Sequence, residues 1–294
     1  MIDRMLLGDD RDSVIANIKK AANEGRFNDK VENGDPVLSV EQQDLVLTNY
    51  LKKHDGLAYK FNNLISRVTV NSALKFITRT VKIEGLDNIK AVTSGAIVTS
   101  NHFSPLDTAY VHKAVVKAGK SRLYIVSELE NLKMQGLLGY IMNYYDTMPI
   151  STNANYMGRE FPELVKNILD RDQFVLIYPE QEMWFNYRKP RPPKRGAYYY
   201  AAKFKVPIIS CFVEMQNQAK VKDSEFGDVA IIIHILNPIY PDPHKSEHEN
   251  SILLMNQDYA QKSTAYEKVY NKKLDYKFAD ADIAGWYPPE HLDN

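Results

Sequence analysis

The chain has 294 residues, and its 44% hydrophobic and 25% charged residues fit a globular protein and exclude long disordered tracts. The 37 basic and 37 acidic side chains cancel, which excludes bulk attraction to nucleic acid or to an anionic membrane, so any such contact needs a local patch. Cys211 is the only cysteine, which excludes an internal disulfide and a zinc site built on thiolates. We expect a cytoplasmic location, since the acidic N-terminus is unlike a secretory signal and no apolar run reaches about 18 residues.

Residues 1–80 are predicted to form a helical N-terminal extension. Apolar residues recur at helical spacing in residues 11–24, 40–53 and 57–80. Ser39 and Gln42 form a capping-box pattern at the start of the second helix.

The third predicted helix, residues 57–80, is amphipathic and has two interpretations. Its apolar side chains either pack on the rest of the chain or press into the surface of a bilayer, with its basic side chains among the headgroups. We favour packing, since the helix can use both faces at once. The apolar set is Phe61, Leu64, Ile65, Leu74, Phe76 and Ile77, and the basic set is Lys60, Arg67, Lys75 and Arg79.

From residue 81 onwards, short apolar runs alternate with helical patterns. This alternation predicts an α/β domain over residues 81–294, with a mixed, largely parallel sheet flanked by helices. Ligands of such a sheet bind at the carboxyl ends of its strands, which His102 and Glu180 both closely follow. The predicted strands cover residues 96–100, 123–127, 174–178, 206–215 and 229–236, and the predicted helices lie near residues 105–118, 129–145, 159–171, 195–204 and 246–274.

The stretch SNHFSPLD places a histidine and an aspartate five positions apart. In one interpretation it only begins a helix: Ser104 is the N-cap, Pro105 takes the first helical position, and the Asp107 carboxylate reaches back to the Ser104 amide. In the other, the same turn brings Asp107 beside His102, where the carboxylate fixes one imidazole tautomer and leaves the other ring nitrogen as a base. No nucleophile accompanies the pair, so the base would activate a hydroxyl of the substrate, which indicates group transfer to an alcohol.

Four short blocks in residues 81–215 occur in an order that is typical of one family. VKIEGLDNI resembles a lead-in segment, SNHFSPLD an Asn-His-x4-Asp block, LIYPEQE a Phe-Pro-Glu-Gly block, and KRGAYYYAAKFKVPIIS a Lys-x-Gly helix with the strand that follows it. In this order the blocks resemble the bacterial glycerolipid acyltransferase family, which includes 1-acylglycerol-3-phosphate and glycerol-3-phosphate acyltransferases. Four ordered blocks are far more specific than the first block alone.

The resemblance implies transfer of a fatty acyl group from acyl-CoA or an acyl carrier protein to a hydroxyl of a glycerol-type lipid such as lysophosphatidic acid. His102 would be the general base and Asp107 its partner. No metal and no cofactor beyond the thioester co-substrate is expected. The protein is expected to be a peripheral membrane protein on the inner face of the membrane. The residues expected to contact substrate are Asn101, Ser104, Glu180, Lys194, Arg195 and Gly196.

Residues 188–205 contain seven Lys or Arg and no acid, which makes them the clearest basic patch of the chain. Lys194 and Arg195 precede Gly196 at a predicted helix N-terminus, where they and the free amides are suited to hold the acceptor's phosphate or the donor's phosphopantetheine. Further basic side chains of the patch are predicted to be solvated, namely Arg188, Lys189, Lys203 and Lys205.

Two departures from the family pattern open an alternative for the acceptor. Gln181 stands where the family has Gly, and it would be strained if that turn needs a positive φ. Met183 stands in place of one family Arg, and Thr152 or Asn153 in place of another. Because those arginines usually grip the acceptor phosphate, the alternatives are a non-phosphorylated lipid or glycolipid acceptor, or a lipid-binding protein on a decayed acyltransferase scaffold.

Overall fold

A computed structural model describes residues 11–33, 38–54, 56–221 and 226–288. In the described part of the chain, three helices precede the sheet, and they confirm the three predicted N-terminal segments: α1 (Arg11–Asn23), α2 (Val40–His54) and α3 (Leu57–Ile77). The predicted capping box is confirmed, because Gln42 N donates to Ser39 Oγ at 3.3 Å and Ser39 N donates to Gln42 Oε1 at 3.0 Å.

Strands and helices alternate through the rest of the chain, as the sequence predicts. The segment near residues 129–145 is divided into a 3₁₀ turn (Leu129–Lys133) and a helix, instead of one continuous helix. In chain order the elements are β1 (Lys82–Glu84), α4 (Leu86–Lys90), β2 (Ala96–Thr99), α5 (Asp107–Lys117), β3 (Leu123–Glu128), α6 (Gly136–Tyr144), β4 (Thr147–Ile150), α7 (Phe161–Leu169), β5 (Phe174–Leu176), α8 (Gly196–Phe204), β6 (Ile208–Val221), β7 (Gly227–Ile235) and α9 (Glu247–Tyr270).

Among the described residues, seven strands form one sheet in the order β1-β7-β6-β2-β5-β3-β4. Every neighbouring pair is parallel except β6 and β7, which are antiparallel. The predicted mixed, largely parallel sheet is therefore confirmed. The edge strands β1 and β4 were not predicted.

Both faces of the sheet are covered by helices. Ile97 of β2 belongs to an apolar cluster with residues of α7, α8 and α9, whereas its neighbours Ala96 and Val98 belong to a second cluster with residues of α4 and α5. All of β2 is buried, as expected for a central parallel strand whose successive side chains point to opposite faces. The carboxyl ends of β2 and β5 consequently emerge side by side from a rigid layer.

The helix α1 shares a third apolar cluster with residues from the far end of the chain. Val14 and Ile18 pack there with Trp184, Tyr187 and Ile283. The predicted domain boundary at residue 80 stays a prediction, but the core of α1 is completed by residues beyond that boundary.

The helix α3 turns its polar side inward and its apolar side outward. Asn63 and Ser66 are its buried residues, whereas the largest apolar side chains are exposed. The favoured interpretation, in which the apolar side chains pack on the rest of the chain, is wrong for Phe61, Leu64, Ile65 and Phe76; only Leu74 and Ile77 are half-buried.

Hydrogen bonds explain this orientation of α3. The Asn63 amide donates to the Tyr144 carbonyl at 2.7 Å and to Asp146 Oδ1 at 2.9 Å, and Asn63 Oδ1 accepts from Arg122 Nη2 at 2.8 Å. Arg122 also forms an ion pair with Asp146, whose side chain is buried. A rotated α3 would leave these buried polar groups without partners, a cost of about 1–3 kcal/mol for each group.

A buried ion pair connects α9 to the end of β2. Lys262 Nζ lies 2.9 Å from Asp258 Oδ2 and 2.9 Å from Thr99 Oγ1, and the Tyr198 hydroxyl donates to the same carboxylate oxygen. Lys262 and Asp258 are both removed from solvent. The cluster thus holds the strand that leads into SNHFSPLD against the C-terminal helix.

We expect Lys262→Ala to lower the free energy of unfolding by about 3–5 kcal/mol, because it leaves the Asp258 carboxylate buried without its cation. Urea unfolding followed by circular dichroism measures the change. Lys268→Ala, on an exposed part of the same helix, is the matched control and should change stability by less than about 0.5 kcal/mol. Equal effects of the two substitutions would contradict a stabilising role of the buried pair.

Candidate active site

The stretch that contains His102 meets the stretch that contains Glu180 at the carboxyl ends of two neighbouring strands. His102 follows β2 and Glu180 follows β5, and these strands are parallel and adjacent. Glu180 Oε2 accepts a hydrogen bond from the backbone N–H of His102 at 3.2 Å. The two residues, each of which the sequence places just after a strand, therefore lie next to each other.

His102 and Asp107 form a direct side-chain contact. His102 Nδ1 lies 2.7 Å from Asp107 Oδ2, and the same oxygen accepts from the amides of Phe103 at 3.1 Å and Ser104 at 3.4 Å. The carboxylate is 1% exposed and the imidazole is 21% exposed. Asp107 therefore fixes Nδ1, while Nε2, which hydrogen-bonds to no described residue, is the nitrogen available to a substrate.

The turn before α5 differs in one respect from the predicted cap. The helix begins at Asp107, and Pro105 and Leu106 form a turn before it. Ser104 Oγ accepts from the amide of Leu106 at 3.2 Å within that turn, so it does not cap a helix that starts at Pro105. The predicted return of the Asp107 carboxylate to the Ser104 amide is present.

Tyr178 belongs to this arrangement, and sequence reasoning missed it. Its hydroxyl donates to Asp107 Oδ1 at 2.6 Å, and its ring stacks on the His102 imidazole with 4.0 Å between centroids and 15° between planes. Burial and the neighbouring Asp107 charge raise the pKa of Tyr178 well above its ordinary value, so the phenol stays protonated and can donate. The available signal was Tyr178 itself, at the position where the family block has Phe.

Glu180 is engaged by a partner that the sequence did not reveal. Its carboxylate and the Arg191 guanidinium are both buried, with 3.0 Å between Arg191 Nε and Glu180 Oε2. Glu180 Oε1 also accepts from the backbone N–H of Arg191 at 2.9 Å. Desolvation lowers the pKa of Arg191, and the Glu180 charge opposes that shift. The predicted contact of Glu180 with the acceptor stays a prediction, whereas its hold on the His102 amide is a feature of the structure.

Arg191 also ties the N-terminal segment to the site. Its guanidinium donates to the carbonyls of Phe27 at 2.8 Å and His102 at 3.3 Å, and it lies over the Trp184 ring. The Trp184 indole donates to the carbonyl of Asp29 at 3.0 Å. The loop after α1 is thus part of the frame that holds His102.

The prediction of a solvated side chain is wrong for Lys189. Lys189 is buried, its Nζ lies 2.7 Å from Asp282 Oδ2, and it donates to the Lys277 carbonyl at 2.8 Å. Asp282, which follows α9, therefore neutralises part of the basic patch. This ion pair explains why the Lys189 ammonium can be buried.

Lys194, Arg195 and Gly196 lie on the surface at the start of α8, where the sequence places them. The Lys194 amide donates to the Pro179 carbonyl at 2.7 Å, which connects this start to the stretch that contains Glu180. Arg195 Nη1 lies 2.9 Å from His248 Nδ1 of α9. Their contacts with substrate stay predictions.

Asn101 and Ser104, two further predicted substrate contacts, are buried. The Asn101 amide donates to the Val213 carbonyl at 3.1 Å and accepts from the Val213 amide at 2.8 Å, which extends the pairing of β2 with β6. Ser104 lines a cavity of about 180 Å³ together with Phe103 and Tyr110. Asn101 is therefore engaged by the strand next to β2, while Ser104 remains beside an opening; contact of either with substrate stays a prediction.

The structure also places the residues that depart from the family pattern. Gln181 has φ +69°, so the turn does have the positive φ that strains a residue with a side chain. Thr152 and Asn153 contact α2, with 2.8 Å between Thr152 Oγ1 and Gln43 Oε1 and 3.0 Å between Asn153 Nδ2 and Asp44 Oδ1.

Cys211 does not provide a nucleophile. It is buried in β6, and burial raises the pKa of its thiol to about 12. A protonated, buried thiol is a weak nucleophile. Proton abstraction by His102 from an external group is the chemistry that the arrangement supports.

The middle of the chain matches one family of known proteins. Residues 80–214, just under half of the chain, match the family model for Acyltransferase. No curated protein matches the chain. Among solved structures, the fold is similar to the crystal structure of the 1-acyl-sn-glycerophosphate (LPA) acyltransferase PlsC from Thermotoga maritima, with a TM-score of 0.48, 19% sequence identity, and coverage of 79% of this chain and 90% of that chain.

We expect Gln181→Gly to raise the free energy of unfolding by up to about 1 kcal/mol. A side chain in the left-handed region costs roughly 1–2 kcal/mol, which exceeds the roughly 0.5–1 kcal/mol that glycine loses in the entropy of the unfolded chain. Gln181→Val is the matched variant and should destabilise the protein, because a β-branched residue tolerates this φ least. Urea unfolding measures both, and a loss of stability in Gln181→Gly would show that the turn is not strained.

Proposed function

We propose that the protein transfers a fatty acyl group from a thioester to a hydroxyl of a glycerol-type lipid acceptor such as lysophosphatidic acid, with His102 as general base. The match of residues 80–214 to the Acyltransferase family model supports this proposal. The observation that carries the proposal is the 2.7 Å contact between His102 Nδ1 and the buried Asp107 carboxylate. A thioester is already reactive, so the step that needs a base is deprotonation of an alcohol of high pKa.

The proposed reaction is one transfer step with a balanced proton. His102 Nε2 takes the proton of the acceptor hydroxyl as its oxygen attacks the thioester carbonyl, so that a C–O bond forms and the C–S bond breaks. Asp107 stabilises the imidazolium that results, and the imidazolium returns the proton to the departing thiolate. The donor is an acyl-CoA or an acyl carrier protein, and neither a metal nor another cofactor is required by this step.

The exposed start of α8 supports a site for an anionic part of a substrate. Lys194 and Arg195 provide two cations beside the first turn of that helix, where amide groups also favour an anion. The acceptor's phosphate and the donor's phosphopantetheine share this chemistry. Substrate contacts of Gly196, Asn101 and Ser104 belong to the same proposal.

A non-phosphorylated lipid or glycolipid is the second candidate acceptor, and one observation favours it. Thr152 and Asn153, which stand near the position of a family arginine, contact Gln43 and Asp44 in α2. They offer no cation to a phosphate. The chemistry at His102 is the same for either acceptor.

We also propose that the protein works at a membrane surface, through an apolar face formed by α3 and α6. Its members, all at least 40% exposed, are Leu57, Phe61, Leu64, Ile65, Val68, Phe76 and Leu137. The helices contact each other, since the Tyr140 hydroxyl donates to Asn62 Oδ1 at 3.0 Å. No helix among the described residues is both long and apolar enough to cross a bilayer.

The charges of α3 and α6 favour an anionic bilayer as the partner of this face. α3 contains Lys60, Arg67 and Lys75 but no acid, and α6 contains no charged residue. In a chain of zero net charge, this is a local bias toward anionic headgroups. An inner-face, cytoplasmic location remains part of the proposal.

We expect His102→Ala to lower acyl transfer by at least about 100-fold while the protein stays folded, because general-base catalysis contributes typically about 10²–10⁴-fold. Labelled acyl-CoA and acyl carrier protein are incubated with lyso-lipids, glycerol-3-phosphate and glycolipids, and products are read by mass spectrometry. His244→Ala, an exposed histidine, is the control and should retain activity. Normal turnover in His102→Ala would overturn the assignment of the base, and lipid binding without any transfer by the wild type would favour a lipid-binding protein.

We expect Phe61→Ser combined with Phe76→Ser to weaken binding to phosphatidylglycerol/phosphatidylethanolamine vesicles by at least about tenfold, because burial of a Phe side chain contributes roughly 1.5–3 kcal/mol. Vesicle flotation measures binding, and added salt should weaken it further. Ile252→Ser, on the exposed side of α9, is the control and should bind as the wild type does. Unchanged binding by the double variant would contradict the proposal, as would a dimer that the same substitutions dissociate.

A further inference from the structure

We propose that Tyr178 is a positioning residue of the site, whose hydroxyl holds the Asp107 carboxylate and thereby sets how strongly His102 retains a proton. The inference rests on the proposed role of His102 as a base. It goes beyond that role, because it concerns the residue that adjusts the base and not the base itself.

The Asp107 carboxylate divides its two oxygens between two tasks. Oδ2 contacts His102 Nδ1 and accepts from the amides of Phe103 and Ser104. Oδ1 accepts from the Tyr178 hydroxyl at 2.6 Å. Since the carboxylate is almost completely buried, Tyr178 supplies to Oδ1 the hydrogen bond that water would otherwise supply.

A second contact fixes the direction of the Tyr178 hydroxyl. Thr108 Oγ1 lies 3.0 Å from the Tyr178 oxygen, and either atom could donate in isolation. An ionised carboxylate can only accept, so the phenol proton points to Asp107 and Thr108 donates to Tyr178. Thr108 thus donates to Tyr178, and Tyr178 donates to Asp107.

The Tyr178 ring acts on His102 from a second side. It stacks on the imidazole with 4.0 Å between centroids, which restricts rotation of the imidazole away from Asp107. A Phe side chain at this position would keep the ring and lack the hydroxyl. Tyr178→Phe therefore removes the donor and keeps the stack.

The charged and titratable groups around His102 give the direction of the expected effect. Asp107 contacts its Nδ1, Tyr178 stacks on its ring, Glu180 accepts from its amide, and Arg191 donates to its carbonyl. A donor to Asp107 spreads the charge of the carboxylate and weakens its hold on the imidazolium. Loss of that donor leaves more charge on Oδ2, so the imidazole keeps its proton to higher pH.

The experiment measures the titration midpoint of the His102 imidazole by NMR in the wild-type protein and in Tyr178→Phe, with the His102 signal identified from its absence in His102→Ala. We expect the midpoint to rise by roughly 0.5–1 pH unit. This is less than the roughly 1–2 units that a hydrogen bond to a charged group is worth, because the lost bond acts on the imidazole only through Asp107. The acidic limb of the pH profile of kcat/KM should move by the same amount. Below the midpoint, kcat should therefore fall about 3–10-fold. KM should be unchanged, because Tyr178 contacts no substrate in this proposal.

Tyr156→Phe is the matched control. It removes the hydroxyl of another buried tyrosine, which donates to the Pro149 carbonyl at 2.8 Å in β4, a strand separated from β2 by two others. It should leave the His102 titration and kcat/KM as in the wild type, even if stability falls. An unchanged midpoint in Tyr178→Phe, or an equal shift in Tyr156→Phe, would overturn the inference. Because the NMR titration needs no turnover, an inactive wild type would count against the proposed function and leave this test decisive.

Discussion

The buried contact between the Glu180 carboxylate and the Arg191 guanidinium is the interaction on which the geometry of the site depends. Either charge alone would be costly to remove from water, so each requires the other. Glu180 accepts a hydrogen bond from the amide of His102, and Arg191 donates to the carbonyls of His102 and Phe27. The ion pair thus connects three distant parts of the chain. The backbone of His102 is therefore held at both of its polar groups, and its imidazole is free to meet Asp107.

Most of the fold was predictable because its central strands and covering helices carry strong local patterns. A buried parallel strand such as β2 appears as a continuous apolar run, and the helices that flank it show the 3.6-residue period. The edge strands escaped prediction for physical reasons. β1 has three residues, and β4 contains Pro149, which an edge strand tolerates but which argues against a strand when only the sequence is read.

The site was predictable where its contacts are local and unpredictable where they are not. Asp107 is five residues from His102, so helix-start chemistry alone brings them together. Lys189 finds Asp282 more than ninety residues later, and a proline-rich basic run gives no local sign of such a partner. The pattern of α3 likewise shows an apolar stripe without showing which side faces inward, a choice made by the contacts of Asn63.

Backbone carbonyls of the loop after α1 contact residues that lie inside the range matched by the family model. A chain cut at residue 80 would keep every residue that the family model covers, yet Arg191 would lose the Phe27 carbonyl and the Trp184 indole would lose that of Asp29. It would also open the apolar cluster around Trp184 to water. The stretch of sequence that the family model covers is therefore shorter than the stretch whose contacts hold His102 and build the apolar cluster around Trp184.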